Sequence, residues 1–230
     1  MASPPVVSFF GGSLAKRLGL AMRATNPPFS VDLLSTVSGG GLLDHDPQGV
    51  RYSNQISLDS VKTSDYVVIW VGTNDFFAHK KNGNHWTDIH LFQNRDQRRQ
   101  FSQKLNDFLS EFTGKCVWIL GLIPRYLNIS CCDDHTLDED TQTRIHAMVK
   151  RVNIDISRKA KYFTENNLFK KVVFVNPDVL GETQPVDWTT ALSNDSIHLT
   201  DEMNNTIAQE MRNIISGELF TQDSVSQPVV

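Results

Sequence analysis

Two kinds of spacing alternate along this chain. Short apolar runs rich in β-branched residues recur at Val6-Val7-Ser8-Phe9-Phe10, at 30–36, at Val67-Val68-Ile69-Trp70-Val71, at 116–122 and at 171–175. Glycine, proline or small polar residues bound most of these runs, as they bound buried strands. Between the runs, apolar residues return every three or four positions, which places them on one helix face. Leu14, Leu18 and Met22 form one such stripe, and Phe101, Leu105, Phe108, Leu109 and Phe112 form another. Ile145, Val149, Val152, Ile156 and Phe163 mark a longer helix, and Met203, Ile207, Met211 and Ile214 a last one. Thr200 reads as the N-cap of that last helix, with Asp201 and Glu202 in its first turn. Strands alternating with helices predict a parallel sheet covered by helices on both faces. The expected order of its five strands is 2-1-3-4-5.

The intervening segments are polar. Residues 76–93 carry His79, His85 and His90 and read as a surface insertion, long enough to serve as a lid. Those histidines lack an i, i+4 helical pair and a nearby cysteine set, so they read as solvated loop residues. Residues 128–140 and 178–194 read as further loops. No repeat or linker divides the chain, which predicts one domain over 1–220 and a loose polar tail over 221–230.

Composition narrows the function classes. With 230 residues, 40% of them hydrophobic, the chain can bury a substantial core. A net charge of −4 and an isoelectric point near 5.9 argue against a general polyanion binder, which needs a basic excess. Lys80, Lys81, Arg95, Arg98 and Arg99 are a local basic exception, best explained as a solvated face. No apolar run approaches the ~20 residues that span a bilayer. Met-Ala-Ser-Pro-Pro has neither a basic region nor an apolar core, and a first strand at Val6 leaves little room for a leader. An intracellular protein is the expectation. Cys116 opens an apolar run as a small buried hydrophobe, and the Cys131-Cys132 pair lacks zinc-site spacing. Neither a metal nor a cofactor is expected. The sequons at Asn128, Asn194 and Asn204 read as chance matches.

Candidate chemistry collects where strands end. In an α/β sheet, ligands bind beyond the carboxyl ends of the strands. The run ending at Val71 stops on Gly72-Thr73-Asn74-Asp75, a turn that can aim the Asn74 amide over the sheet edge as an oxyanion donor. Gly11-Gly12-Ser13 joins the first strand to the first helix and puts Ser13 at a helix N-terminus. Taken alone, that serine is most simply an N-cap. Ser38-Gly39-Gly40-Gly41 lets a backbone N–H approach a ligand, or connects flexibly. It is too short for a dinucleotide fingerprint, and no Gly-Lys-Ser/Thr phosphate loop is present. Asp195-Ser196-Ile197-His198 precedes the last helix.

Ser13, Gly39, Asn74 and Asp195 with His198 thus fall in order at four strand ends or helix starts. This pattern resembles the SGNH (GDSL-like) hydrolase superfamily, over about residues 10–203. Gly-Thr-Asn-Asp and Asp-x-x-His are its specific pieces, and Val37-Ser38-Gly39 looks like the second block. Gly12 departs from the pattern, standing where that family has aspartate, and removes a side chain that helps shape the turn. The resemblance implies a three-layer α/β/α, flavodoxin-like fold with a parallel five-stranded sheet. It also implies a serine esterase: Ser13 as nucleophile, His198 as base, and Asp195 orienting the imidazole. The N–H groups of Ser13 and Gly39 and the Asn74 amide would form the oxyanion hole. The expected substrate is a small-molecule, glycan or lipid ester carrying an acyl group such as acetyl. The alternative is an SGNH-fold binding module for RNA, a glycan or a protein, and the acidic net charge weighs against RNA.

Overall fold

The computed structural model describes residues 3–36, 42, 61, 63–82, 85–90, 95–125, 139–166, 168, 170–179, 186–193 and 198–223, except the side chains of 77–82, 85–90, 97, 141 and 220–223. In chain order the elements are β1 (Val6–Gly11), α1 (Ser13–Ala24), β2 (Ser30–Thr36), β3 (Tyr66–Trp70) and the short α2 (Thr73–Phe76). Then come β4 (Phe77–Asn82), β5 (His85–His90), α3 (Arg95–Ser110), β6 (Cys116–Leu120), α4 (Glu139–Glu165) and β7 (Lys171–Val175). A 3-10 turn (Pro177–Val179), the short α5 (Trp188–Ala191) and α6 (Asp201–Asp223) complete the described chain.

Five strands form one sheet in the order β2-β1-β3-β6-β7, every neighbouring pair parallel. Numbered among themselves, they have the expected 2-1-3-4-5 order. The alternation of side chains along each strand sorts the core into two halves. Phe10, Val67, Ile69, Val117 and Ile119 pack with Phe101, Leu105, Ile145, Val149 and Val152 from α3 and α4. Val7, Phe9, Val68, Trp70 and Trp118 pack with Leu14, Leu18, Ile207 and Met211 from α1 and α6. Both faces are therefore covered, which gives the α/β/α layering. The helical stripes read from the sequence are those that fill it, with Ile215 taking the fully buried place on α6 and Ile214 a partly buried one.

Register brings the strand ends level. Gly11 sits opposite both Thr36 and Trp70, Ile69 opposite Ile119, and Leu120 opposite Val175. The segments that leave β1, β3 and β6 consequently emerge along one edge.

Three expectations need correction. His79, His85 and His90, read as loop residues of the insertion, lie on strands, because β4 and β5 pair as an antiparallel ribbon, with Phe77 opposite His90 and His79 opposite Asp88. The stretch read as a loop over 178–194 contains α5, capped at Asp187, whose carboxylate accepts from the N–H of Thr189. The last helix runs through Asp223, past the point where the loose tail was expected to begin. Cys116 is buried. Asn204 is 4% exposed and donates its amide to the carbonyls of Leu199 and Thr200, which rules out a glycan there. Cys131, Cys132, Asn128 and Asn194 lie outside the described residues. No helix among the described residues is long and apolar enough to cross a membrane.

Candidate active site

Ser13 reaches its place through the backbone of Gly11 and Gly12. Gly11 has φ +145°, and a Cβ there would lie 2.1 Å from the carbonyl oxygen of Trp70 on β3. Only glycine lets β1 run this close to its neighbour while turning into α1. Gly12, extended and buried, is the N-cap of α1, and its carbonyl accepts the first helical bond from Lys16 N–H. The cap is thus Gly12, not Ser13 as the local sequence suggested. Ser13 is the first helical residue, and no side chain caps the helix. Its hydroxyl points elsewhere: Oγ lies 3.0 Å from Nε2 of His198. The backbone N–H groups of the first turn have no acceptors within the helix, and no acidic residue sits in that turn. The helix dipole there favours developing negative charge.

His198 is held by its own backbone. Its carbonyl accepts from Ser193 N–H, Leu192 and Leu199 form an antiparallel bridge, and Thr200 N–H bonds the carbonyl of Ala191. Leu199, 1% exposed, anchors this short ladder in the core. Thr200 then caps α6, its Oγ1 accepting from Met203 N–H. The imidazole itself is half-buried. Its backbone supports fix where it stands.

Asn74 follows β3 on a single helical turn. Gly72, at φ +99°, starts that turn, and its carbonyl accepts from Asp75 N–H. A Cβ on Gly72 would meet the ring of Phe101 at 2.7 Å, so the turn nests directly against α3. Phe76, fully buried, packs edge-on to Phe101 with ring centroids 4.8 Å apart. Thr73, Asp75 and Phe76 are buried, whereas Asn74 between them is half-buried. The turn thereby presents one amide at the sheet edge.

The structure adds a residue the sequence did not single out. Arg125, in the segment leaving β6, is 2% exposed and donates from a terminal guanidinium nitrogen to Oδ1 of Asn74 at 2.9 Å. Its segment is anchored twice nearby. Trp70 Nε1 donates to the carbonyl of Gly121, and Asn153 on α4 bonds both the N–H and the carbonyl of Leu122. An arginine directly after Ile123-Pro124 at a strand exit was the available signal, since strand exits are where sites collect.

Ser13, Asn74 and His198 therefore share the carboxyl edge of the sheet. Gly39, which follows the end of β2, and Asp195, which lies between Ser193 and His198 in the chain, are outside the described residues. Among the described residues no group of three or more His, Cys, Asp and Glu side chains could hold a metal ion.

Solved structures with this fold span nearly the whole chain. A candidate platelet activating factor from Streptococcus pneumonia superposes with a TM-score of 0.57 at 11% identity, over 94% of this chain and 85% of that one. An inhibitor-bound aryl esterase from M. Smegmatis gives 0.53 at 13% identity, over 93% and 99%. A candidate acylhydrolase from Bacteroides fragilis NCTC 9343 gives 0.53 at 13% identity, over 95% and 91%. At such identities the likeness is one of fold. Among curated proteins none matches the sequence. The profile of the family described as GDSL-like Lipase/Acylhydrolase matches residues 10–211. The matched stretch opens at the end of β1, just ahead of Ser13, and closes inside α6, beyond His198. The chain belongs to the GDSL-like lipase/acylhydrolase family.

Proposed function

We propose that the protein is a serine esterase that removes a short acyl group, acetyl being the first to test, from an ester. The observation that carries this reading is the 3.0 Å approach of Ser13 Oγ to His198 Nε2, made between residues 185 positions apart in the chain. That distance is within reach for proton transfer from a nucleophile to its base.

The reaction follows from the groups present. With a proton on Nδ1, the His198 imidazole accepts the Ser13 hydroxyl proton at Nε2 as Oγ attacks the ester carbonyl carbon. The carbonyl electron pair moves onto oxygen, next to the Ser13 N–H at the start of α1 and the Asn74 amide. When the tetrahedral species collapses, the alcohol leaves with the proton held by His198, and the acyl group stays on Oγ. Water then attacks, gives its proton to Nε2, and releases the acid as Oγ regains a proton. Asp195 is assigned to Nδ1, where it would hold the productive tautomer, and the Gly39 N–H is assigned as a third oxyanion donor. Gly12 leaves Ser13 braced by backbone alone. Small placement errors slow such reactions, which predicts a slow enzyme.

Purified protein should hydrolyse p-nitrophenyl acetate. Ser13→Ala and His198→Ala should each abolish most of that rate, to a similar extent, because the pair acts as a unit. Full activity in the Ser13→Ala protein would move the site elsewhere. No hydrolysis by the parent, together with RNA binding that weakens steeply with salt, would replace the enzyme with a binding module.

A further inference from the structure

We infer that Arg125 is the positioning residue of the oxyanion hole: it fixes the orientation of the Asn74 amide and strengthens it as a donor. The inference deepens the esterase reading and rests on it. An asparagine amide can present either its oxygen or its NH₂ group to a site, and only the NH₂ stabilises an oxyanion. Arginine has donors and no acceptor, so the atom facing its guanidinium must be the amide oxygen. With Oδ1 bound to Arg125 at 2.9 Å, Nδ2 is the other arm of the planar amide and points away from the guanidinium. The flipped state would set NH₂ against a guanidinium and is strongly disfavoured.

Burial makes this contact count. Arg125 is 2% exposed, and among the described residues it forms no ion pair and its Nε has no hydrogen-bond partner. A cation removed from water interacts strongly with the few dipoles left around it. It draws electron density toward Oδ1, which makes the Nδ2 hydrogens better donors to a developing negative charge. The arginine is itself held in place, since the Gly121 carbonyl is tied to Trp70 and Leu122 is clamped by Asn153. An amide that sits half-buried on one helical turn is thereby fixed from behind by a rigid segment of the neighbouring strand.

The test compares Arg125→Met, Arg125→Lys, Asn74→Ala, Asn74→Asp and the Arg125→Met/Asn74→Ala double variant. Each is assayed for p-nitrophenyl acetate kinetics, labelling rate with a fluorophosphonate, and thermal midpoint. Losing an oxyanion donor typically lowers the rate by ~10²–10³-fold. Asn74→Ala should show that loss in kcat with KM little changed, and Arg125→Met should show a part of it, about tenfold or more. In the double variant Arg125→Met should add less than about twofold to Asn74→Ala, because it acts only through that amide. Arg125→Lys should recover part of the rate. Asn74→Asp keeps an oxygen toward Arg125 but has no donor. It should melt above Asn74→Ala and label as slowly, a comparison that holds even if the Arg125 variants fold poorly.

Independent, multiplying losses in the double variant would overturn the inference while leaving the esterase standing. So would an Asn74→Asp protein no more stable than Asn74→Ala. A parent protein that neither hydrolyses the ester nor labels would overturn the esterase reading and this one with it.

Discussion

Asn153 is the clamp whose removal tests how the fold supports the site. It sits on the inner face of α4, 5% exposed, with Oδ1 2.7 Å from the N–H of Leu122 and Nδ2 2.9 Å from the Leu122 carbonyl. Leu122 is fully buried. In Asn153→Ala both of its backbone groups lose these side-chain partners, away from solvent. A buried polar group left unsatisfied costs about 1–3 kcal/mol, so two cost roughly 2–6 kcal/mol, toward the lower end if water enters the vacated space. In a chain of this size 1 kcal/mol moves the melting point by about 2–4 °C. A loss near 3 kcal/mol therefore predicts a midpoint roughly 6–12 °C lower. Differential scanning calorimetry gives the midpoint, and urea titration the free energy. The loosened segment also carries Arg125, so fluorophosphonate labelling should slow at temperatures where the variant is still fully folded. A change below about 1 kcal/mol would show that Leu122 finds other partners, and the clamp would lose its assigned role.

Two further outcomes follow from the backbone and the caps. Gly11→Ala places a Cβ 2.1 Å from the Trp70 carbonyl oxygen at a φ that alanine rarely adopts, so a loss of about 3 kcal/mol or more is expected in urea unfolding. Asp187 accepts from the hydroxyl and then the backbone N–H of Thr189, and these bonds hold its carboxyl below the usual range. Its folded pKa being depressed, its contribution is present above the ordinary carboxylate pKa and fades as pH falls through the folded value. Asp187→Asn keeps a capping oxygen without the titration, so its stability should fall less than the parent's between about pH 5 and pH 3.

The layers of the fold were legible because burial imposes the period. Val67 to Trp70 fill both faces of the sheet, and Ile145 to Phe163 recur on one helix face, so pattern alone finds them. The β4–β5 ribbon was missed because the polar run 77–90 lacks that pattern. Its signal was Gly83-Asn84 ahead of Trp86, Thr87 and Ile89, a two-residue turn pair followed by β-formers. Ser13 was legible as a residue at a helix start but not as a non-cap. Which residue caps depends on the turn at Gly11, and that turn is set by the approach of β3. Arg125 was passed over for a related reason, although its place at a strand exit was a signal. Its meaning lies in a contact with Asn74 between the exits of the neighbouring strands β3 and β6, and a charged residue after a proline otherwise reads as loop.

The proposed esterase stands or falls on activation of the Ser13 hydroxyl by His198. Its most direct test is to treat the folded protein with a fluorophosphonate probe and map the modified residue by peptide mass spectrometry. One adduct per chain is expected on Ser13, absent in Ser13→Ala and lost in a His198→Ala protein that remains folded by circular dichroism. An unlabelled parent, an adduct on another residue, or undiminished Ser13 labelling in the His198→Ala protein would contradict it.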